Sequence, residues 1–317
     1  MSVKFRTLTD RDVRSALDGR TANRLCVRAF KAFADIRNSI PSKVYVDTPA
    51  GDFRAMPAWV HAPGILGVKW ICVYPLNPKK NLPSVIGTLL LNDPDTGELL
   101  CVAEANELTA WRTGAAGAVA SKACFPGKPK KIAVIGAGTQ AHFQLDCHMA
   151  MFGQFKVGIW SQDGVQASAF AGKYRKSGIE IETADTIRDC VADADIVITV
   201  TPSRRPIVKA AWLKPGVHIN AIGADAPGKQ ELEEAILFQS RVFVDDIEQS
   251  SHSGEINKSF HAGRFKRKNI KGTLSDILTQ KKKARLKTSD PTVFDSTGLA
   301  VQDMVFADYV YRQCLKK

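Results

Sequence analysis

The sequence predicts an α/β protein in which a doubly wound parallel sheet is inserted into a discontinuous α+β domain. An apolar strand at residues 132–135 runs into a glycine turn and a helix, and strands alternate with helices from there to residue 245. A last apolar helix at residues 298–313 has no strand after it, so we expect it to return to the first domain. The predicted domains are residues 1–127 with 290–317, and residues 128–289, with the active site in the cleft between them.

The first 125 residues predict two helices followed by antiparallel strands. Thr9 and Thr21 are suited to cap the two helices. Turn signals such as Asp93-Pro94-Asp95 separate the alternating segments that follow. The predicted strands are residues 43–47, 53–60, 66–74, 85–91 and 99–105. An alanine-rich helix at residues 108–123 then leads to a hinge at residues 126–129.

From residue 130 the pattern changes to strands that alternate with helices. Four consecutive apolar residues at 132–135 indicate a strand buried on both faces, as in a parallel sheet covered by helices. The predicted helices are residues 139–152, residues 165–176, a short helix ending at 192, and residues 230–238. The other strands of this sheet, which has about six in all, are residues 157–160, 179–183, 196–201, 218–223 and 241–245.

The turn after the first of these strands indicates a bound dinucleotide. Gly136 permits the tight turn, Gly138 lets the backbone approach a pyrophosphate, and Ala141 is small enough for the helix to lie against the strand. The helix begins with Thr139 and Gln140, and it points its unpaired N–H groups and positive dipole end at the phosphates. A strand, a GxGxxA turn and a helix in this order predict a Rossmann domain that binds NAD or NADP.

The end of the second strand bears on the choice of cofactor. An acid there holds the ribose 2′-hydroxyl of NAD, whereas an arginine accommodates the 2′-phosphate of NADP. The chain has Ser161-Gln162-Asp163, without an acid at the first position and without an arginine. We therefore expect NAD, with NADP as the alternative. Thr199 and Thr201, at the end of another strand, are candidates to contact the nicotinamide ribose, although threonine also favours strands by propensity alone.

Four cations in the first domain are suited to a small anionic substrate. Lys69 lies in an otherwise apolar strand, and a lysine on the buried face of a strand is rare without a partner. Arg112 stands in the alanine-rich helix, and its guanidinium can bind a carboxylate through two parallel hydrogen bonds. Arg54 and Lys43 are further candidates. For each of the four, a solvated or salt-bridged surface base is the other interpretation.

Asp225 is the candidate acid–base residue. It directly follows a predicted strand, and ligands of open α/β sheets bind outside the carboxyl ends of the strands. A carboxylate in such a place can take a proton from an ammonium group or activate water. A turn or N-cap aspartate is the alternative interpretation.

Composition narrows the class of protein. With 317 residues, 44% of them apolar and 24% charged, the chain is long enough for two globular domains and is not expected to be disordered. The apolar runs are strand-sized, and residues 1–20 carry charges instead of a signal-peptide core, so we expect neither secretion nor a membrane span. Seven scattered cysteines without a CxxC pair predict reduced thiols in the cytoplasm and no metal site.

Most of the net charge of +12 lies in residues 263–287, which carry ten basic side chains against one acid, Asp276. Phe265 is the only aromatic residue of this segment, so no stacking platform for bases is present and we do not expect a nucleic-acid partner. A solvated loop with a short helix is the favoured interpretation. A site for a polyanion or an acidic partner is the alternative.

Ordered motifs extend along nearly the whole chain. They are Met56-Pro57-Ala58, Gly67-Val68-Lys69, and residues 108–113, 136–141, 199–201, 215–225, 254–255 and 294–298. In these segments the chain resembles the ornithine cyclodeaminase and mu-crystallin family. The resemblance implies a homodimer that pairs through its N-terminal domains, so that residues 1–127 with 290–317 serve both substrate binding and dimerisation. It also implies NAD or NADP on each Rossmann domain.

The resemblance also implies roles for individual residues. Lys69 and Arg112 would hold the α-carboxylate of the substrate, Asp225 would serve acid–base chemistry, and Thr297 would approach the substrate. The resemblance places Ser84, Lys229 and Ser296 near the cofactor. We expect the glycine turn to bind the cofactor together with Arg112, Ser161, Thr199 and Ile222.

Four features resemble the archaeal-type alanine dehydrogenase branch of this family. Asp225 is an acid, whereas members similar to mu-crystallin often have serine there. Arg54 matches the arginine of this branch, whereas ornithine cyclodeaminases carry an acid suited to a cationic side chain, which an arginine would repel. The run from Gly223 to Leu232 also looks most like this branch. Lys43 resembles the lysine that this branch uses near the substrate carbonyl.

These features imply an NAD(P)-dependent oxidoreductase of a small L-amino acid, which deaminates alanine or a close relative to the 2-oxo acid and ammonia, or catalyses the reverse. An ornithine or lysine cyclodeaminase with catalytic NAD is one alternative. A ketimine reductase, acting on pyrroline- or piperideine-2-carboxylate, is another. A hypothesis of a different class is a binding protein without turnover, which the intact set of Lys69, Arg112 and Asp225 argues against.

Overall fold

The computed structural model describes residues 5–175 and 178–316. The chain forms two compact units: unit 1 comprises Met1–Arg112 with Leu299–Lys317, and unit 2 comprises Thr113–Gly298. We expected boundaries after residues 127 and 289, and the structure has them after residues 112 and 298. The second boundary differs because residues 292–295 form a strand in the sheet of unit 2.

Strands and helices are numbered separately in chain order. The strands are β1 (Arg6–Leu8), β2 (Val44–Thr48), β3 (Gly51–Val60), β4 (Ile65–Val73), β5 (Val85–Asn92), β6 (Leu99–Glu104), β7 (Lys131–Ile135), β8 (Lys156–Trp160), β9 (Ile181–Thr183), β10 (Ile196–Thr199), β11 (His218–Ala221), β12 (Arg241–Val244), β13 (Ile270–Thr273) and β14 (Thr292–Asp295). The helices are α1 (Asp10–Ala16), α2 (Gly19–Phe33), α3 (Asn106–Cys124), α4 (Thr139–Phe152), α5 (Gly164–Tyr174), α6 (Ile187–Val191), α7 (Glu234–Gln239), α8 (Ile247–Ser253), α9 (Asn257–His261), α10 (Leu274–Leu278) and α11 (Ala300–Leu315). Helix α4 has its predicted bounds, and the predicted end of α5 at residue 176 lies outside the described residues.

Unit 1 contains a six-stranded sheet in the order β1-β6-β5-β4-β3-β2. Neighbours from β2 to β6 are antiparallel, which confirms the five strands predicted from the alternating segments. Strand β1 pairs in parallel with β6 and was not predicted, because its three residues are too few to show an alternating pattern.

The first two helices of unit 1 test the predicted caps. Thr9 caps α1 in a capping box with Asp12, as predicted. The prediction that Thr21 caps α2 is wrong. Asp18 is the N-cap, and its carboxylate accepts the backbone N–H of Thr21 at 2.7 Å, so the helix begins at Gly19.

Helix α11 packs against α2 and against strands β3 and β4. Gly67 of β4 permits this close approach, because a Cβ at this position would lie 2.8 Å from Sδ of Met304. The same contact brings the neighbouring Asp303 onto the buried face of β4, where Lys69 also lies.

Unit 2 contains an eight-stranded parallel sheet in the order β13-β12-β14-β11-β10-β7-β8-β9. The chain runs outward from β7 through β8 to β9 and then resumes at β10 on the other side of β7. The strand order therefore reverses between β7 and β10, where doubly wound sheets bind their ligands. The prediction of about six strands missed β13 and β14, and β14 lies in the middle of the sheet, between β11 and β12.

Side chains cover both faces of this sheet. Ile132 and Val134 of β7 pack with Leu145 in one apolar cluster. Ala133 and Ile135, which point the other way, pack in a second. All four strand residues are fully buried, so the prediction of a strand buried on both faces is confirmed.

The basic segment 263–287 folds as part of unit 2 and contains β13 and α10. Arg285 is structural, since its guanidinium donates to the backbone carbonyls of Cys124, Gly216 and Asp290. Arg267 pairs with Glu248 on the surface. Over the described residues, the helices are each too short or too polar to cross a membrane.

Five fully buried polar side chains form a hydrogen-bonded chain through unit 2. Ser121 Oγ lies 2.9 Å from His148 Nε2 and accepts from Asn220 Nδ2 at 2.8 Å. His218 contacts Asn220 Oδ1 at 3.1 Å and Thr292 Oγ1 at 2.9 Å. Burial lowers the pKa of His148 to about 4 and that of His218 to about 3, so both rings are neutral in the folded protein at neutral pH.

We expect the contribution of His148 to stability to fall as the solution is acidified. His148 binds a proton near pH 6.5 in the unfolded chain, but only near pH 4 in the folded protein. The free energy of unfolding therefore falls as the pH is lowered from 6.5 towards 4. The wild-type protein and His148→Gln should be melted between about pH 7.5 and 5. The variant should melt lower at neutral pH, and the gap should narrow on acidification. Parallel melting curves across that range would contradict this assignment.

Candidate active site

The turn after β7 has the geometry of a dinucleotide site. Gly136 has φ +108°, in the region that favours glycine, and its N–H donates to the carbonyl of Trp160 at 2.8 Å. A Cβ on Gly136 would lie 3.1 Å from Cγ2 of Thr201, so the turn packs tightly on the end of β10. This is the tight turn expected of the first glycine.

The start of α4 is open to a ligand. Gly138 is the N-cap and supplies no side-chain cap, so the first N–H groups of the helix are available to an anion. A Cβ on Gly138 would have no atom within 4 Å, whereas Ala141 is fully buried against the sheet. Oε1 of Gln140 is buried and has no hydrogen-bond partner among the described residues. The turn, the free helix end and this acceptor fit a dinucleotide.

The end of β8 carries the residues predicted to select the cofactor. Ser161 is half-buried and follows the strand directly. Asp163 is the N-cap of α5, and its carboxylate accepts the N–H of Val165 at 2.9 Å. The carboxylate of Asp163 therefore caps α5. Ser161 and Gln162 are the residues left at the predicted position of the ribose.

Strands β10 and β11 end in a cluster around Glu231. The hydroxyl of Thr199 donates to Glu231 Oε2 at 2.7 Å, and Thr199 is fully buried. The structure thus gives this hydroxyl a protein partner, which the predicted ribose contact did not include. Thr201 also donates to Glu231, through its hydroxyl and its N–H. Ile222 is buried in the apolar cluster that contains Ala141.

Asp225 lies in the loop after β11 and pairs with Lys229. Lys229 Nζ lies 2.6 Å from Asp225 Oδ1. The Asp225 side chain is 34% exposed, so a ligand can reach it. The carbonyl of Lys229 accepts Nδ2 of Asn257 at 2.8 Å, which anchors the loop. The structure therefore brings together Asp225 and Lys229, two predicted site residues.

Ser296 and Thr297 follow β14. Both are buried, and the N–H of Ser296 donates to the carbonyl of Ala221 at 3.1 Å. The hydroxyl of Thr297 donates to Asp245 Oδ1 at 2.9 Å and accepts from Gln249 Nε2 at 2.6 Å. This hydroxyl therefore already has two protein partners, which the predicted role at the substrate did not include.

In unit 1, Lys69 and Arg112 share one carboxylate. Lys69 Nζ lies 2.7 Å from Asp303 Oδ1, and Arg112 Nε lies 3.2 Å from the same oxygen. The side chains of Lys69 and Asp303 are fully buried, and that of Arg112 is 8% exposed. Asp303 Oδ2 is buried and accepts no hydrogen bond from the described residues. When Lys69 is in its ammonium form, two cations beside one anion leave the cluster with a net positive charge.

Burial lowers the pKa of Lys69 to about 7, and the nearby Asp303 carboxylate opposes this shift. The positive charges of Arg112 and Lys43 add to the lowering, which places Lys43 near the cluster. A bound carboxylate would stabilise the ammonium form, because an opposite charge at close range favours ionisation.

Arg54 lies on the same buried face of the sheet. Its Nη2 donates to Asp52 Oδ2 at 3.1 Å, and its Nε pairs with Asp52 Oδ1. The guanidinium also stacks over Tyr45, with 5.4 Å from Cζ to the ring centroid. Ser84, by contrast, lies in the loop before β5, where its carbonyl accepts the N–H of Tyr74.

Two residues of the site were missed from the sequence. The sequence signals for Asp303 were an acid within an apolar helix and a buried lysine that requires a partner. Glu231 gave no local signal, since it lies in a short polar stretch between a loop and a helix.

We expect Asp303→Asn to destabilise the protein by about 3 kcal/mol, because it leaves two buried cations without a counter-charge. Chemical denaturation measures this loss. Asp308→Asn on the same helix is the matched control, since Asp308 pairs with the largely exposed Arg312 and should lose much less. Equal losses in the two variants would contradict the role of the buried cluster.

The chain is similar to known proteins over the sequence of both units. The model of the ornithine cyclodeaminase/mu-crystallin family matches residues 6–317. Alanine dehydrogenase from Archaeoglobus fulgidus is 39% identical over 312 residues, which are 98% of this chain and 95% of that protein.

Two solved structures are similar over nearly their whole length. An archaeal alanine dehydrogenase dimer with bound NAD has a TM-score of 0.94 and 38% identity, covering 98% of this chain and 96% of that one. The Thermococcus litoralis Δ1-pyrroline-2-carboxylate reductase in complex with NADH and L-proline also has a TM-score of 0.94, with 31% identity and coverage of 98% and 97%. The predicted α/β fold and the predicted family are confirmed. The chain belongs to the ornithine cyclodeaminase/mu-crystallin family of enzymes.

Proposed function

We propose that the chain is an NAD-dependent oxidoreductase that interconverts a small L-amino acid with its 2-oxo acid and ammonia, in the manner of an alanine dehydrogenase. The observation that carries the proposal is the buried cluster of Lys69, Arg112 and Asp303, which retains one positive charge. A single α-carboxylate neutralises that charge. The similarity to an alanine dehydrogenase at 39% identity supports the same reaction class.

The cofactor is NAD. The Gly136 turn and the open N-terminus of α4, which begins with Thr139 and Gln140, would hold the pyrophosphate region. Ser161 would lie at the adenosine ribose, with no arginine in Ser161-Gln162-Asp163 to favour the 2′-phosphate of NADP. NAD and NADH are the ligands named in the two similar structures. When bound, NAD⁺ would supply a hydride acceptor for the substrate Cα, and NADH would supply the hydride in the reverse direction.

The substrate is held by its carboxylate and its protons are moved by an acid. Lys69 and Arg112 bind the carboxylate, and Lys43 polarises the imine or carbonyl group. Asp225 takes a proton from water as water adds to the imine, and the carbon–nitrogen bond then breaks to release ammonia. In sum, the amino acid, NAD⁺ and water give the 2-oxo acid, ammonium, NADH and a proton.

Arg54 supports a substrate without a cationic side chain. Its guanidinium is buried and fixed by Asp52 and Tyr45, so it is positioned and cannot easily swing away. A cationic side chain near it would be repelled, which argues against ornithine or lysine cyclisation. The second candidate is reduction of a cyclic imine such as pyrroline-2-carboxylate. It is favoured by the T. litoralis reductase, whose fold is as similar as that of the alanine dehydrogenase.

The chain also carries a surface suited to a homodimer, as in the archaeal alanine dehydrogenase dimer. The outer face of the unit 1 sheet is apolar and exposed, opposite the face that carries Lys69. Its exposed members are Val44, Val46, Trp70 and Ile86. Trp70 stacks on Phe53 with 4.9 Å between ring centroids, which extends the flat apolar face. A contiguous apolar face of this kind indicates a protein–protein interface, and a second copy of the chain is the proposed partner.

A cytoplasmic location fits the thiol chemistry. All seven cysteines are free, and six of them are buried. Reduced, unpaired cysteines in this number are typical of a reducing compartment.

We expect Asp225→Asn to lower kcat for reductive amination of pyruvate by about 100-fold or more, since it removes the proton-transfer group. NADH binding should change little. The assay follows NADH oxidation with pyruvate and ammonium, and Asp185→Asn, an exposed acid in the same unit, is the control. Full activity of Asp225→Asn would contradict the assigned role. Tight NADH binding by the wild-type protein without turnover of any amino acid, 2-oxo acid or cyclic imine would indicate a binding protein instead.

We expect Trp70→Glu to convert the dimer to a monomer, because it places a charge in the apolar face. Light scattering after size exclusion should give about twice 34.6 kDa for the wild-type protein and about 34.6 kDa for the variant. Leu286→Glu changes a 72% exposed residue of unit 2 and should remain dimeric. A dimeric Trp70→Glu, or a monomeric wild type, would remove this face as the interface.

A further inference from the structure

Glu231 is a fully buried carboxylate that accepts four hydrogen bonds. Oε1 accepts the N–H and the hydroxyl of Thr201, both at 2.7 Å. Oε2 accepts the hydroxyl of Thr199 at 2.7 Å and the N–H of Gly223 at 2.9 Å. One side chain therefore ties the end of β10 to the end of β11.

The set of donors requires a carboxylate at this position. Each oxygen of Glu231 accepts one backbone N–H, from Thr201 at Oε1 and from Gly223 at Oε2. A backbone N–H can only donate, so a glutamine placed either way round would turn its NH₂ group against one of them. A buried donor without an acceptor costs about 1–3 kcal/mol, so the amide is a disruptive substitution in spite of its similar shape.

Glu231 connects with the cofactor turn through Thr201. A Cβ added to Gly136 would lie only 3.1 Å from Cγ2 of Thr201. The position of Thr201 therefore limits the position of the glycine turn. By holding both the N–H and the hydroxyl of Thr201, Glu231 fixes the residue against which the pyrophosphate turn packs.

Glu231 also closes the loop that carries Asp225. The carboxylate of Glu231 accepts the N–H of Gly223, at the beginning of the loop, and the backbone of Glu231 forms the end of the same loop. Gly223 itself has no room for a side chain, since a Cβ there would lie 2.6 Å from Glu231 Oε2. The loop between them contains the pair of Asp225 and Lys229.

Two further buried acids hold Glu231 in place. Glu255 accepts the N–H of Glu231 at 2.9 Å and that of Leu232 at 2.7 Å. Asp295 in turn accepts the N–H of Glu255 at 2.9 Å. Burial raises the pKa of all three carboxyls, which is the cost of keeping them in the interior. In return for that cost, Glu255 and Asp295 hold the backbone of this segment in one geometry.

We infer that Glu231 is a positioning residue that fixes the pyrophosphate turn and the Asp225 loop in one arrangement, so that cofactor affinity and proton transfer depend on the same buried carboxylate. The inference rests on the proposed function. Glu231 acts on the cofactor only through Thr201 and on the proton only through the loop from Gly223 to Asp225.

The test compares wild-type protein, Glu231→Gln and Glu234→Gln. Glu234 lies three residues further on and pairs with Arg264 at the surface, which makes it the matched control. Fluorescence titration with NADH should give a dissociation constant raised by about tenfold or more for folded Glu231→Gln, and kcat should fall by at least a similar factor. Glu234→Gln should match the wild type. Thr199→Val removes one hydroxyl donor to Glu231 and keeps the backbone donors. It should weaken NADH binding by a smaller factor, and it replaces Glu231→Gln in the test if that variant does not fold.

A double-mutant cycle separates positioning from simple stability. Asp225→Asn should lower kcat less in the Glu231→Gln background than in the wild type, because the loop is already displaced. Glu231→Gln with a lowered melting temperature but unchanged NADH affinity, or with fully additive losses in kcat, would overturn the inference and leave the proposed function standing. Absence of NADH binding by the wild-type protein would overturn both.

Discussion

The burial of the Lys69 ammonium is the constraint on which unit 1 depends. An unpaired ammonium in an apolar interior costs several kcal/mol, so a counter-charge has to be present. Asp303 supplies it from helix α11, and Gly67 allows that helix to come close enough to β4. Arg112 then joins the same carboxylate oxygen, and the surplus of positive charge becomes the chemical property of the cluster. The packing of α11 and the proposed substrate class follow from this one ion pair.

A different constraint governs unit 2. The carboxyl ends of parallel strands lie at one edge of the sheet. Backbone N–H and C=O groups just after the strands make no hydrogen bonds within the sheet, so they need other partners. Here buried acids satisfy them: Glu231 serves β10 and β11, and Asp245 accepts the N–H groups of Thr297 and Gly298 after β14, each at 2.6 Å. The edge is therefore held rigidly by side chains, while the glycine turn after β7 and the start of α4 stay open. Rigid surroundings with one open segment are what a bound cofactor requires.

Features with a local signal could be predicted from the sequence. The turn at Gly136, the bounds of α4 and the strands of the unit 1 meander depend on residues close in the chain. The central strand β14 was not predicted, because four residues after a basic loop show no period, and its pairing with β11 and β12 is non-local. The N-cap of α2 was misplaced by three residues because Asp18 and Thr21 both have side chains suited to capping.

Among the site residues, the type of side chain could be predicted better than its partner. Lys69 was recognised as a buried cation, but Asp303 is 234 residues away in the chain, and no pattern in one sequence links them. Thr199 was placed near the cofactor from its position at a strand end, and Thr297 was placed near the substrate from the family resemblance. The structure gives both hydroxyls to buried acids, Glu231 and Asp245, whose burial only the folded chain reveals.

The measurement that tests the central claim most directly is hydride transfer from the substrate carbon. The protein is mixed with NAD⁺ and L-alanine that carries deuterium at Cα, and the nicotinamide product is analysed by mass spectrometry. The account predicts NADH with one deuterium, together with unlabelled pyruvate and ammonium in equal amounts. NAD⁺ that remains oxidised and unlabelled with alanine, while L-ornithine is converted to proline and ammonia, would contradict it.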